Sequence, residues 1–349
     1  MSGRRPAPPA PAPPAAPARN RGAAVLLALL GTGMGHVYLG RTRRGLAWAA
    51  TGYAAIGLVL LFREVGSASM AAFVLGGAAI WVGSIVDAAV IAPGPRPFRG
   101  VHIALLAVGL FFASRGYALL ARARVLEAFK IPAGSMLPSI RVGDHVFVDK
   151  VVYRHRAPRR GEIAVFPYPE HPEQDFVKRV IALPGDKLEM RKGHPIINGW
   201  DVPSCQVGTW KYNEALDDSA HDGELFIEFL EESAYFVFFD RLAPSSDYEG
   251  PFQAAKGEIW LLGDNRNNSH DSRMWFGGRG GGVKRETLVG RPHLLWLAIS
   301  PERVDWSRIG QDVSGDPVAP SPDLRAAVAS CLGQRPSVPG ATPPPPAPR

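Results

Sequence analysis

Two rhythms of apolar and polar residues divide the chain. Between Ala23 and Ala121 apolar residues run nearly unbroken in four segments: Ala23–Leu39, Leu46–Phe62, Ser69–Ile91 and Val101–Ala121. A helix that crosses a bilayer needs about 20 such residues. The third and fourth segments reach that length, and the second is short but almost free of charge. The first, with glycines at 31, 33 and 35 and with His36, leaves its crossing open. Asp87 lies near one end of the third segment. Arg115 lies near the end of the fourth, where its head can reach the interface. Arginines at 41, 43 and 44 and at 96 and 99 place loops 40–45 and 92–100 on the cytoplasmic side, with Arg63 and Glu64 in the loop between. The fourth segment then exits outward. If the first also crosses, the N-terminus lies outside despite its own arginines.

From Val125 the rhythm shortens to two. Val146 and Val148 alternate with Phe147 and Asp149 after a Gly143-Asp144 turn, and Glu162–Phe166 follows the Arg160-Gly161 turn. Phe176–Leu183 ends at Pro184-Gly185-Asp186. Leu188–Arg191 and Pro195–Ile197 flank Lys192-Gly193, a hairpin signal, and Asn198-Gly199 is a further turn. Leu225–Phe229, Tyr235–Phe239 and Glu258–Leu262 are further strands. The pattern predicts an N-terminal α-helical transmembrane region over 23–121, followed by a mostly-β domain over 122–309. Residues 1–22 are a disordered Pro/Ala-rich arm, and 310–349 a disordered Pro-rich tail. The arm is no signal peptide, because the apolar segment after it lacks a small-residue cleavage site and more spans follow.

Charge and cysteine content narrow the function classes. The net charge of +7 is spread without a Lys/Arg stripe interleaved with aromatics, so a nucleic-acid groove is not expected. Cys205 and Cys331 are far apart, one of them in the tail. They form no metal pair and make a poor disulfide case. Neither a metal nor another cofactor is expected.

Three stretches could carry chemistry. In Ile131-Pro-Ala-Gly-Ser-Met-Leu-Pro138, prolines hold Ser135 out of helix, and Gly134 lets the backbone approach a partner closely. Such a serine is either a turn residue or a nucleophile. In Phe176-Val-Lys-Arg-Val180, the strand period puts Lys178 on the face of Phe176, Val180 and Ala182, while Arg179 points the other way. A lysine on an apolar face is desolvated, which lowers its pKa toward a usable base; the alternative is a stem lying along a surface strand. Gly263–Arg273 is too polar for a strand and lacks the ligand spacing of a calcium loop. It offers His270 and Asp271 to a Ser-His-Asp triad, yet adjacent residues rarely face each other in that relay.

Together these stretches resemble the type I signal peptidases. The boxes occur in order: Ile131–Pro138, Gly143–Val148, Arg160–Phe166, Val177–Asp186, Gly263–Arg273 and Leu288–Arg291. The resemblance covers about residues 125–300 and includes an inserted cap region at about 191–257. It implies a membrane-bound serine endopeptidase that removes signal peptides from exported preproteins after a small-x-small motif. Ser135 is then the nucleophile and Lys178 the general base. Ser269 orients the lysine, and Asp264, Asp271 and Arg273 support that corner. Phe129, Ile131, Pro132, Met136 and Val177 are the expected lining of the substrate pocket. The implied setting is the bacterial cytoplasmic membrane, multi-pass, with the catalytic domain on the outer face. Signal peptides and the bilayer are partners, the translocation machinery is a candidate partner, and nucleic acid is none.

The sequence departs from the family pattern in a few places. Ala133 stands where many members carry a serine that helps bind the oxyanion, leaving backbone N–H groups to that task. Asn267 replaces a common Asp, Ala182 a usual Gly, and Gly277–Gly282 forms an extra loop. Separately, Gly35–Gly40 and the arginines after it look like the start of a small two-span membrane module, in which His36 is a packing residue. Two rival classes remain. A Ser–Lys self-cleaving repressor would carry a DNA-binding helical domain instead of apolar spans. A binding module on the peptidase fold would not need Ser135, Lys178 and Ser269 intact.

Overall fold

A computed structural model describes residues 19–59, 67–94, 100–213, 220–299, 304–337 and 342–346. Residues 1–61 and 71–119 form one compact unit; 120–349, with 62–70, form the other. Residues 1–18 of the expected arm, loop arginines 63, 96 and 99 and part of the tail lie outside the described residues, whereas the arm's last residues, Arg21 and Gly22, already belong to the first helix.

The helical unit corrects the first apolar segment. In place of one helix there are two, α1 (Arg21–Leu30) and α2 (Met34–Tyr38). At 1.5 Å per residue α1 is about 15 Å long, half a bilayer core. The glycines explain the break and the fold-back: Gly33 has φ 88°, and a Cβ on Gly35 would stand 2.2 Å from the Ala24 carbonyl oxygen. Next come α3 (Thr42–Val59), α4 (Ser67–Val90) and α5 (Gly100–Arg124). Among the described residues no helix is long and apolar enough to cross a membrane. Charged residues stand toward the ends of the long ones, Arg43 and Arg44 at the start of α3, Asp87 near the end of α4, and Arg115, Arg122 and Arg124 in the last part of α5. Asp87 is a junction: its carboxylate accepts from Arg44 Nε (2.8 Å) and NH2 (2.7 Å) and from Trp48 Nε1 (2.7 Å), and it lies 2.7 Å from His36 Nε2.

The second unit is built of antiparallel strands. β1 (Leu126–Lys130) and β2 (Asp144–Asp149) pair with Phe129 opposite Val146. After a short helix, α6 (Val152–His155), come β3 (Ile163–Tyr168) and β4 (His171–Ala182). Then follow β5 (Lys187–Arg191), β6 (His194–Ile197), β7 (Trp200–Asp201), β8 (Ser204–Asn213), β9 (Ala220–Leu230), β10 (Ser233–Asp240), β11 (Tyr248–Gln253) and β12 (Glu258–Leu262). A turn, α7 (Trp275–Gly278), precedes β13 (Val283–Lys284) and β14 (Arg291–Ala298), and α8 (Arg325–Gly333) is the last element. The strands make four sheets, in the orders β1-β2-β14, β10-β9-β8, β11-β5-β6-β7 and β13-β12-β4-β3.

The expected strands are present, and both small turns have the conformation their residues favour. Lys192 and Gly193 have φ 48° and 76°, and Asn198 and Gly199 have 54° and 79°. Two successive positive-φ residues match the right-handed twist of a hairpin. β1, β7, β8, β11, β13 and β14 were not among the expected strands; β7 and β13 are only two residues long, and the apolar positions of β1, β8 and β11 alternate too weakly to show.

The expected disordered tail is corrected most. Leu324, Val328 and Cys331 recur at helical spacing and are buried, so α8 docks on β8 and β9. Upstream, Gly310 N–H donates to the Leu295 carbonyl and Val313 N–H to that of His293. Cys331 forms a disulfide with Cys205 of β8, the pairing that chain separation had argued against.

Candidate active site

Ser135 sits in a single 3-10 turn, Gly134–Met136, entered from an extended Ala133. Prolines 132 and 138 hold the flanks out of α-helix, but Ser135 itself, expected outside any helix, lies within this single 3-10 turn. The turn hangs in a loop closed at its base, where Ile131 N–H donates to the Asp144 carbonyl at 2.8 Å. From the opposite side Asn265 grips it twice. Its backbone N–H donates to the Ser135 carbonyl and its side-chain Nδ2 to the Gly134 carbonyl, both at 3.1 Å. Ser139 Oγ donates to Asp264 Oδ2 at 2.6 Å.

Lys178 comes from β4, paired across to Ala164 of β3. It is 3% exposed, and its Nζ stands 2.6 Å from Ser135 Oγ. A second N–H donates to the Val177 carbonyl at 3.2 Å, and the Phe176 ring lies 5.0 Å below. Burial pulls the lysine down to about 8; the negative charges of Asp271 and Asp264 oppose but do not cancel that pull. The face shared with Phe176 is the one the strand period predicts.

The support residues occupy distinct places. Asp271 is fully buried, accepts from Gly263 N–H at 3.0 Å and is clamped by Arg273 through Nε and NH2, both at 2.9 Å. Burial alone would raise its pKa; Arg273 and the Gly263 N–H outweigh that and lower it. Asp264 takes a bidentate pair from Arg179, at 2.7 and 2.6 Å. Arg179 therefore points away from Lys178 as expected, but inward, 4% exposed and 4.2 Å above the Tyr235 ring. Tertiary pairing, absent from the strand pattern, is what buries it.

Two expected site residues stand differently. Ser269 Oγ is buried with no hydrogen-bond partner, so the bond to Lys178 is not made. It abuts Gly263, where a Cβ would meet Ser269 Oγ at 2.2 Å and the Ser135 carbonyl at 2.5 Å; only glycine fits between them. Pro132 is exposed, whereas Ile131 and Met136 are buried in one apolar cluster with Phe129 and Val177 at its edge. The prolyl ring stands outside that cluster because the chain is extended there and turns it to solvent. His270, the other base the sequence offers, does not replace the lysine, since its Nε2 is 2.8 Å from Tyr168 OH. Asn265, Ser139 and Arg179 were missed as site residues. The Gly-Asp-Asn-Arg run was the one signal for the first.

A serine and a buried lysine in hydrogen-bond contact, held on antiparallel sheets, is an arrangement suited to hydrolysis by a peptidase. Residues 102–297 match the family described as signal peptidase, peptidase S26. Signal peptidase I of Pseudomonas aeruginosa is 30% identical, over 57% of this chain and 76% of its own. That of Aquifex aeolicus is 31% identical over 52% and 79%, and that of Pseudomonas fluorescens 29% over 57% and 76%. A solved signal peptidase I from Enterococcus faecalis aligns at 24% identity over 39% of this chain and 97% of its own, with a TM-score of 0.22. The chain belongs to the signal peptidase, peptidase S26, family. Its activity is that of a serine peptidase of the signal peptidase I type, the removal of signal peptides.

Proposed function

We propose that the chain is a membrane-bound endopeptidase in which Ser135 is the nucleophile and Lys178 the general base, cutting exported preproteins after a small-x-small tripeptide. The observation that carries the dyad is the 2.6 Å contact between Ser135 Oγ and the Nζ of a lysine stripped of solvent. The neutral amine takes the hydroxyl proton as Oγ attacks the scissile carbonyl. The Ser135 N–H, in the first turn of its 3-10 helix and without an intrahelical acceptor, is placed for the developing oxyanion. Collapse expels the amine of the mature chain, which takes the proton from Lys178, and leaves the signal peptide esterified to Ser135. A water gives its proton to Lys178 as it attacks that ester, and Ser135 Oγ takes the proton from Lys178 as it leaves, which frees the signal peptide and restores the neutral amine. Ser269, with its hydroxyl unpartnered beside the turn, is assigned to steady the charged lysine. Phe129, Ile131, Met136 and Val177 form the apolar wall against which small side chains fit.

The apolar segments between residues 46 and 121 are assigned to the bilayer, with the catalytic domain on the outer face of the bacterial cytoplasmic membrane. The Cys205–Cys331 disulfide favours that side, since disulfides persist in oxidising compartments. The signal peptide, the lipid and the translocation machinery are the partners of this reading.

The test is cleavage of a preprotein by the purified full chain, with the product N-terminus sequenced. Ser135→Ala and Lys178→Ala are each expected to abolish cleavage, and the double variant to be no worse, because members of one catalytic unit are not additive. Substantial activity of Lys178→Ala at neutral pH removes the dyad.

A further inference from the structure

The family match ends at residue 297, but the folded chain does not. Residues 304–333 grip the loop that presents Ser135 at three points. At its base, Arg308 NH1 stands 2.6 Å from Asp144 Oδ1, with Asp144 1% and Arg308 7% exposed. The other oxygen of Asp144 accepts the Arg141 N–H at 2.7 Å, so the ion pair and the loop's closing turn share one carboxylate. Along its outer limb, Arg141 NH2 donates to the Pro320 carbonyl at 3.1 Å while its guanidinium lies 5.5 Å from the rings of both Trp210 and Tyr212. Beneath it, Leu137, two residues from the nucleophile and fully buried, shares one apolar core with Leu324, Val328 and Cys331 of the C-terminal segment. The disulfide to Cys205 ties α8 to β8 at that core.

We propose that residues 304–333, fastened by the Cys205–Cys331 disulfide, are a positioning element of the peptidase site that holds the 131–144 loop in register with Lys178. Lys178 itself stands on β4, whose pairing with β3 and β12 uses no residue of this segment. Loosening α8 therefore moves one member of the dyad and leaves the other. This rests on the reading of Ser135 as nucleophile.

The experiment compares the full-length wild type with Cys205→Ser/Cys331→Ser, following amide hydrogen exchange and peptide cleavage together. Exchange is expected to quicken in 134–140 and in α8 but not in 176–182. The kcat is expected to fall roughly 10- to 100-fold with KM unchanged, the cost of misplacing a reacting group by about 1 Å. Leu324→Ala, which loosens the same helix without touching sulfur, must give the same pattern, and Leu324→Met must restore the wild-type one. Wild-type exchange in 134–140 while α8 exchanges faster overturns the proposal. So does faster exchange spread equally over 134–140 and 176–182, which marks general destabilisation. Because exchange reads the loop whether or not the chain cuts the peptide, failure of the dyad and failure of the clasp give different results.

Discussion

At the scale of single residues, the proposed chemistry turns on which side of its pKa Lys178 stands. Burial brings the ammonium down to about 8 from an ordinary 10.5, with Asp271 and Asp264 holding it from falling further. The base form is the neutral amine, so cleavage should be weak well below pH 8, rise as the proton leaves and level off above it. The rate at saturating peptide, measured from pH 6 to 10, is expected to show one ascending limb with a midpoint about 8. Asp271→Asn removes a negative charge that favours the ammonium, so its limb should move to lower pH. A limb that stays put in that variant assigns the titration to another group. Ser135 and Lys178 were legible as candidates from local rules, since two prolines and a glycine flank the serine and a period of two aims the lysine, but their pairing came only from the resemblance to the signal peptidases. Ser269 entered only through that resemblance, and its missing hydrogen bond was not legible at all, because side-chain rotamers answer to packing from several strands at once.

Elements were legible where their period was clean, and the polar residues they bury were not. Nothing in the alternation of β9 announces that Glu228 is fully buried, or that Arg266, from the Gly263–Arg273 loop, reaches it at 2.8 and 2.6 Å. Burial by itself would raise Glu228; Arg266 and His194 outweigh it and hold the carboxyl at about 2. Arg266 also donates to the Gly193 carbonyl, so the pair joins β9, the β5–β6 turn and the loop that carries Asn265. Arg266→Met strands a buried carboxylate, and the expected loss is about 3–5 kcal/mol of unfolding free energy at pH 7. In the variant the carboxyl's pKa rises, so the deficit should shrink as the pH falls and the group takes up a proton. Denaturant titrations at pH 7 and pH 5 measure both numbers; an equal deficit at the two values would mean that the cost is packing and not charge. α8 was illegible for another reason. Three apolar residues at helical spacing stood within Pro/Ala/Ser-rich flanks, and composition outweighed period.

At the scale of the whole molecule, the break between α1 and α2 changes the proposed topology. With residues 23–39 folded back as two short helices, α1 is about 15 Å long and does not cross. The conflict between an outside N-terminus and its arginines then disappears: Arg19 and loop 40–45 lie on one side, as positive-inside counting asks. Three crossings remain in the proposal, carried by the apolar segments that begin at Leu46, Ser69 and Val101, and an odd number puts the β domain outside. A reporter active only outside the cytoplasm is expected to be silent when fused at Arg19 or Pro95 and active when fused after Arg349. The last junction leaves residues 304–333 intact, whereas one at Gly310 would cut through a folded segment. The disulfide gives an independent reading of the same question. In whole cells, Cys205 and Cys331 should resist a thiol reagent until reduced. A silent Arg349 fusion, or two freely reactive thiols in cells, would place the catalytic domain where no translocated cleavage site is exposed, and signal-peptide removal from this position would have to be abandoned.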